Sequence, residues 1–438
     1  MSRCRRPQPR GCWIKPATAA RRAALEILRE VRAGAPLDAA RDRHLTGLAE
    51  RDRRLAYELS AGVLRHKREL DAALDLGHAD PRIHDVLRLG AYQLRHLSRV
   101  PAHAAVSTSV DLARQTVGEK VTGYVNRALR KLSGAGRREL GAGKTHPEWL
   151  IAKWKAQFGA EETTKLLTWN DQRPVLVIQP ARLNLEHLAQ AFAGADIQTR
   201  RAPFDAGLEV VAVRGSPRPA LRDLPGYAEG AWIVQDPAHA LIARYAGVPP
   251  GALVYDACAA PGGKAVSLET GGARVLAGDA RHERLGRLAD TTRRAGVAIH
   301  SLAANLEAAP IRRGSVDAVL VDAPCSATGT MRRHPDARWR LQPAVFARLA
   351  VRQTRLLDAA APLVRAGGLL IYATCSLEPE ENEQVVERFL MQHPEFTRTP
   401  RQHSTLPDEL LTASGAFRSY PQRHGIDGAY AARLIRAA

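Results

Sequence analysis

Beyond Pro249, short apolar runs at residues 253–256, 274–278, 299–303, 318–321, 369–373 and 431–435 alternate, over the earlier part, with helical stretches. Parallel neighbours need a crossover of a dozen or more residues, usually a helix, and such a sheet needs cover on both faces. The alternation therefore predicts an α/β, Rossmann-like domain with a mostly parallel sheet. In that class the carboxyl ends of the strands line the ligand crevice, so the residues just past each run are the ones to inspect.

The chain has 438 residues, too many for one ordinary core. Over residues 19–132 the apolar positions recur at helical spacing: Ala24, Ile27, Leu28 and Val31; Leu87, Gly90, Ala91 and Leu94; Val121, Tyr124, Val125, Ala128 and Leu129. Pro and Gly punctuate this pattern near residues 33–36, 77–81 and 100–101, as helix joints do. The sequence thus reads as a basic arm (1–14), an all-α domain (15–132), a Gly-rich linker (133–146), a small α+β joining module (147–248) and the Rossmann-like domain (249–438). No run of about 18 apolar residues is present, so no membrane span is expected. The arm lacks the apolar core of a secretory signal, and it lacks the Ser enrichment of a transit peptide; the cytoplasm is the expected location. Nothing in the sequence indicates an oligomer.

Cys4, Cys12, Cys258, Cys325 and Cys375 show neither paired CxxC spacing nor histidines at zinc-finger distances, so no metal and no disulfide framework is expected. The net charge is +19, and residues 1–150 carry 29 Lys/Arg against 16 Asp/Glu, or +13 of it. A basic field of that size attracts polyanions, RNA first, through release of condensed counterions.

Three of the cysteines stand where a strand yields to a loop. Asp256-Ala257-Cys258-Ala259-Ala260-Pro261-Gly262-Gly263-Lys264 ends one strand and opens a helix, with small residues that let backbone amides approach a ligand. Asp279 closes the next strand 23 residues later, about where a carboxylate meets a ribose diol in dinucleotide folds. GxGxxG and GxxxxGK[ST] are both absent, which favours a nucleoside ligand without pyrophosphate. S-adenosylmethionine meets that description, with Asn305 at the end of the third strand for the adenine.

The other two cysteines lie in Asp322-Ala323-Pro324-Cys325 and Thr374-Cys375-Ser376. Carbon 5 of a pyrimidine becomes nucleophilic when a thiolate adds at carbon 6, and a base must later remove the carbon-5 proton so that the sulfur can leave. Two cysteines suit these two steps, with Asp322 placed to hydrogen-bond the base edge. Pro379, Glu380, Glu381 and Glu383 read as the first turns of a helix after Cys375, and Arg332 and Arg333 as candidates to grip phosphates.

At these motifs the chain resembles the RNA (cytosine-5) methyltransferase family: DACAAPGGK from Asp256, DAPCSATG from Asp322, and YATCS from Tyr372 followed by PEENE. Its N-terminal helices resemble the NusB-like RNA-binding domain of one branch, through Glu50-Arg51-Asp52-Arg53-Arg54, Gly90-Ala91-Tyr92-Gln93-Leu94 and Val125-Asn126-Arg127-Ala128-Leu129-Arg130. The resemblance makes Cys375 the nucleophile and Cys325 the residue that assists release. It assigns Cys258, Ala259, Ala260, Pro261, Gly262, Gly263, Lys264, Asp279, Asn305 and Asp322 to the S-adenosylmethionine site, and 16S ribosomal RNA as substrate. A tRNA, another rRNA site, or a non-catalytic RNA-binding factor are the alternatives. Ala327, where the wider family usually has Gly, points to the same branch as the N-terminal domain; the chain departs from the family at Asn305, where Asp is usual, at Val177-Ile178-Gln179 in place of Arg-x-Asn, with Arg182-Leu183-Asn184 just beyond, and at Asp427-Gly428-Ala429-Tyr430 in place of Asp-Gly-Phe-Phe.

Overall fold

The computed structural model describes residues 16–74, 76–134, 145–213 and 220–438; the basic arm with Cys4 and Cys12, and most of the expected linker, lie outside them. The chain forms two compact units, residues 1–152 with 334–340, and residues 153–333 with 341–438.

The first unit is helical among its described residues, with helices Pro16–Arg32, Leu37–Leu45, Glu50–Arg65, Lys67–Leu74, His84–His96, Ala102–Thr116 and Thr122–Gly134. The joints fall at the Pro/Gly punctuation. The periodic residues face one core: Ala24, Ile27, Leu28, Val31, Leu87, Ala91, Val125 and Leu129 are all buried there, which is what a 3.6-residue apolar stripe does when helices pack. The segment 334–340 belongs to this unit. Leu37 N–H donates to Asp336 Oδ2 (3.2 Å), and the indole of Trp339 donates to Leu64 O (2.6 Å).

The second unit contains two sheets. In the smaller, β1 (Leu176–Pro180), β2 (Ile197–Arg201), β3 (Leu208–Val213) and β4 (Trp232–Val234) run in the order β2-β3-β1-β4 with every pairing antiparallel. Its core holds Ile178, Leu188, Phe192 and Trp232.

The larger sheet comprises β5 (Leu253–Asp256), β6 (Arg274–Asp279), β7 (His300–Ala303), β8 (Val316–Asp322), β9 (Val364–Thr374), β10 (Phe396–Arg398), β11 (Phe417–Ser419) and β12 (Ala429–Arg436). The order is β10-β12-β9-β8-β5-β6-β7, with β11 also pairing β12. β7, β6, β5, β8 and β9 are mutually parallel, and the last three strands are antiparallel. β12, expected among the alternating strands, enters against β9. The order reverses between β5 and β8, so the ends of these two strands flank the switch-point crevice.

Candidate active site

The turn after β5 is shaped by small residues. Ala257, Ala259 and Ala260 are buried, and the Ala260–Pro261 bond is cis. Gly262 takes φ 108° just before helix Gly263–Thr270, and a Cβ there would lie 2.8 Å from Leu288 Cδ1. The left-handed backbone favours glycine there, and a Cβ would also require the tip of Leu288 to shift. Cys258 packs here as a thiol, its pKa pushed up to about 12 by burial and then by the charges of Asp322 and Asp256.

Lys264, in the first turn of that helix, reaches across the switch point. Its ammonium donates to Asp322 Oδ2 at the end of β8 (2.6 Å) and to His239 Nδ1 (3.1 Å). Burial opposes the charge on Lys264, yet its attraction to Asp322 wins and raises its pKa. His239 goes the other way: burial and the facing ammonium lower it to about 4, so it stays a neutral acceptor. His239 had no motif to announce it.

Asp256 is 1% exposed, and no side chain hydrogen-bonds either carboxylate oxygen. Burial, then Asp322, raises it to about 7 against a weaker pull from Lys264 and the Cys258 N–H. A buried carboxylate in that condition asks for a donor from a ligand. Asp279, on the adjacent strand end, is 3% exposed; its Oδ1 accepts from Arg281 N (2.9 Å) and its Oδ2 pairs with Arg284 Nη1 (3.1 Å). Asn305 lies exposed two residues past β7, capping a short turn through Glu307 N (3.4 Å). The glycine turn, the orphaned Asp256 and Asp279 fit a nucleoside cofactor with a cationic amino-acid end.

β8 and β9 run in parallel register, Asp322 opposite Ala373, and the chain past each strand end carries a cysteine. Cys325 Sγ and Cys375 Sγ stand 3.2 Å apart. The pKa of Cys325 is pushed far up by the hydrogen bond with Cys375, by burial, and by the charges of Cys375 and Glu381. Ionising Cys325 is thus disfavoured while Cys375 stands beside it. Gly329 N–H donates to Cys375 O (2.9 Å), tying the two loops together.

Around this pair lies a buried polar shell whose members, Gln353 apart, fall within the quoted motifs but were given no such role by the sequence. Glu381 is 0% exposed and accepts from Ser326 N (2.9 Å), Gln353 Nε2 (3.0 Å), Ser376 Oγ (2.6 Å) and the hydroxyl of Ser326. The expected helix start after Cys375 is broken: Pro379–Glu381 is a 3₁₀ turn, Asn382 leaves helical geometry (φ −116°, ψ −100°), and the helix is Glu383–Gln392. The side chains of Glu381 and Asn382 turn inward to make their bonds. Arg333 is not free for phosphate, because it is held by Asp236 (2.5 Å) and Asp427 (2.7 Å). Arg332 is 5% exposed with its guanidinium 3.8 Å from the centre of the Trp169 ring. Arg182 donates to Ala295 O (3.0 Å) and Asn184 caps helix Leu185–Gly194.

Comparison with known proteins agrees with this architecture. Residues 248–435 match the family model described as 16S rRNA methyltransferase RsmB/F, residues 18–133 the NusB family, and residues 146–211 an RsmF/B-like ferredoxin-like domain. A probable ribosomal RNA small subunit methyltransferase B from Synechocystis sp. is 36% identical, over 95% of this chain and 99% of its own. Ribosomal RNA small subunit methyltransferase B of Pseudomonas putida is 34% identical over 95% and 98% of the two chains. The crystal structure of PH0851 superposes with a TM-score of 0.79 at 25% identity, covering 96% of this chain and 99% of that one. NSun6 from Pyrococcus horikoshii, solved with SFG, shares the fold at a TM-score of 0.58 and 19% identity, over 67% of this chain and 98% of its own. Strand-end residues whose chemistry suits S-adenosylmethionine and relatives matched over nearly their whole length lead to one assignment: the chain belongs to the RsmB/F family of 16S rRNA methyltransferases, S-adenosylmethionine-dependent enzymes with a NusB-type N-terminal domain.

Proposed function

We propose that this methyltransferase acts on carbon 5 of a cytosine in 16S ribosomal RNA, with Cys375 forming a transient bond to carbon 6. The observation that carries the reading is the pair of sulfurs 3.2 Å apart at the ends of adjacent parallel strands, beside the Lys264–Asp322 ion pair. Two thiols within hydrogen-bonding distance suit a step that needs a thiolate followed by a step that needs a base.

In this reading Asp322, anchored through Oδ2 by Lys264, presents its remaining oxygen to the base edge and orients the ring. Cys375 adds to carbon 6, and the electron pair moves to carbon 5. When bound, S-adenosylmethionine supplies the electrophilic methyl group; Cys258 to Lys264, Asp256, Asp279 and Asn305 are the residues that would hold it. Carbon 5 must then lose its proton before the Cys375–carbon 6 bond can break. In this reading Cys325 takes that proton. Two of the effects that raise its pKa come from Cys375 itself, and they vanish once the Cys375 sulfur is a neutral thioether, so the second thiol becomes easier to ionise after the first is consumed. The target base must be unpaired or extruded to reach thiols at this depth.

Trapping tests it. Folded Cys325→Ala and Cys375→Ala variants are incubated with unmodified small-subunit RNA and S-adenosylmethionine, run on denaturing gels, and any attached RNA is sequenced. Cys325→Ala is expected to retain RNA and Cys375→Ala to retain none. Retention by Cys375→Ala alone would exchange the roles; retention by neither would remove the covalent route. A tRNA sequence in the trapped complex would overturn the 16S assignment.

A further inference from the structure

Each loop that presents a sulfur is held by the dipeptide Glu381-Asn382. Ser326, which follows Cys325, gives Glu381 both its backbone N–H (2.9 Å) and its hydroxyl, while Pro324, which precedes Cys325, accepts from the same Gln353 amide (3.1 Å) that donates to Glu381. On the other loop Ser376, which follows Cys375, gives Glu381 its hydroxyl (2.6 Å). Thr374 Oγ1 donates to Asn382 Oδ1 (2.5 Å), and Asn382 Nδ2 donates back to Ser376 O (2.9 Å). The carbonyl of Glu381 is fixed in turn by the hydroxyl of Tyr372 on β9 (2.5 Å).

Four donors on two oxygens fill the accepting capacity of a carboxylate. The four groups that donate to Glu381 are all neutral, two serine hydroxyls, one backbone N–H and one amide, so its charge is balanced by aligned dipoles. Resting on the two-cysteine reading above, we propose that Glu381 is a positioning residue for catalysis: from between the two cysteine loops it holds both in register, so that the sulfurs of Cys325 and Cys375 meet and differ in reactivity. Its negative charge lies close enough to count among the groups that disfavour a Cys325 thiolate. The carboxylate thus does what a neutral amide of equal size cannot: it accepts at both positions, from the two serine hydroxyls at Oε2 and from Ser326 N and Gln353 Nε2 at Oε1, and an amide would set an N–H against one of these donor pairs.

The test reads the thiols directly, so it does not depend on which nucleotide is methylated. Full-length protein is treated with limiting iodoacetamide from pH 6 to 10, and alkylation at Cys325 and Cys375 is quantified by peptide mass spectrometry. The wild type is expected to react first at Cys375. Glu381→Gln is expected to lower the Cys375-to-Cys325 ratio at least tenfold and to move the Cys325 profile to lower pH, with S-adenosylmethionine affinity within about threefold of wild type. An unchanged ratio and an unchanged Cys325 profile in folded Glu381→Gln overturn the proposal. If that variant does not fold, Ser326→Ala takes its place, since it removes one donor and leaves the carboxylate; a ratio within twofold of wild type in Ser326→Ala then overturns it. A shifted ratio together with no RNA trapped by Cys325→Ala would retain Glu381 as the thiol-setting group while removing the adduct reading.

Discussion

Ala327, two residues past Cys325, holds a left-handed backbone (φ 59°, ψ 29°). A Cβ in that region costs roughly 1 kcal/mol, offset in part by the greater unfolded-state freedom of glycine. Ala327→Gly is therefore expected to raise stability by up to about 1 kcal/mol, read from the urea midpoint; a loss of about 1 kcal/mol or more would show that the methyl group contributes packing. Asp256 and His239 set opposed pH dependences. Asp256 is raised to about 7 in the fold from an ordinary 3.8, so its contribution is full below pH 4 and is lost as pH rises through 7. His239 is lowered to about 4, so the contribution it makes above pH 6.5 is lost as pH falls toward 4. Asp256→Asn should stabilise the ligand-free protein more at pH 8 than at pH 5, leaving a curve that rises between pH 4 and 6.5. Equal effects at both pH values would mean that Asp256 is not a buried charge. The strand-end positions of the Gly-Gly-Lys turn and of both cysteines were legible because each is written in adjacent letters. His239 and Asp256 were not assigned, because burial, not identity, gives them their roles.

At the scale of elements, the loop after β8 and the turn into β12 cross backbone to backbone. Gly428 N–H donates to Gly329 O (2.8 Å), and a Cβ on Gly329 would lie 2.2 Å from Gly428 O. Backbone on both sides cannot yield as a side-chain tip can. Gly329→Ala is expected to cost roughly 2 kcal/mol or more and to cut methyl transfer with it, because Gly329 N–H also holds Cys375 O. A variant with wild-type stability and rate would show that the loops separate freely. The parallel strands were readable from their apolar runs. β2 was not: within Ile197–Arg201 one residue is buried, so Gln-Thr-Arg-Arg carries no alternation to detect. β10 and β11 have three residues each, too few for a period, and pair only because β12 lies beside them.

For the molecule as a whole, charge is concentrated in the N-terminal third. Arg127, Arg130 and Lys131 are exposed on one side of helix Thr122–Gly134, at spacings of three and four residues. Replacing all three by Gln is expected to weaken RNA binding and to make the slope of log affinity against log salt shallower by about 1 for each phosphate no longer neutralised. Turnover at saturating RNA should be unaffected; a fall in kcat with an unchanged salt slope would refute the electrostatic role. Among the described residues no helix is long and apolar enough to cross a membrane.

What the sequence determined alone is whatever depends on near neighbours: the helical stripes of the first unit, the strand–turn–helix at Asp256 to Lys264, and the strand-end positions of Cys325 and Cys375. Only the tertiary structure decided which of these meet. Lys264 and Asp322 are 58 residues apart, the two sulfurs 50, and Ser326 and Glu381 55. Their pairing follows from the register of β5, β8 and β9, which long-range packing sets. The protonation of each group then follows from the burial and the neighbours that this register imposes.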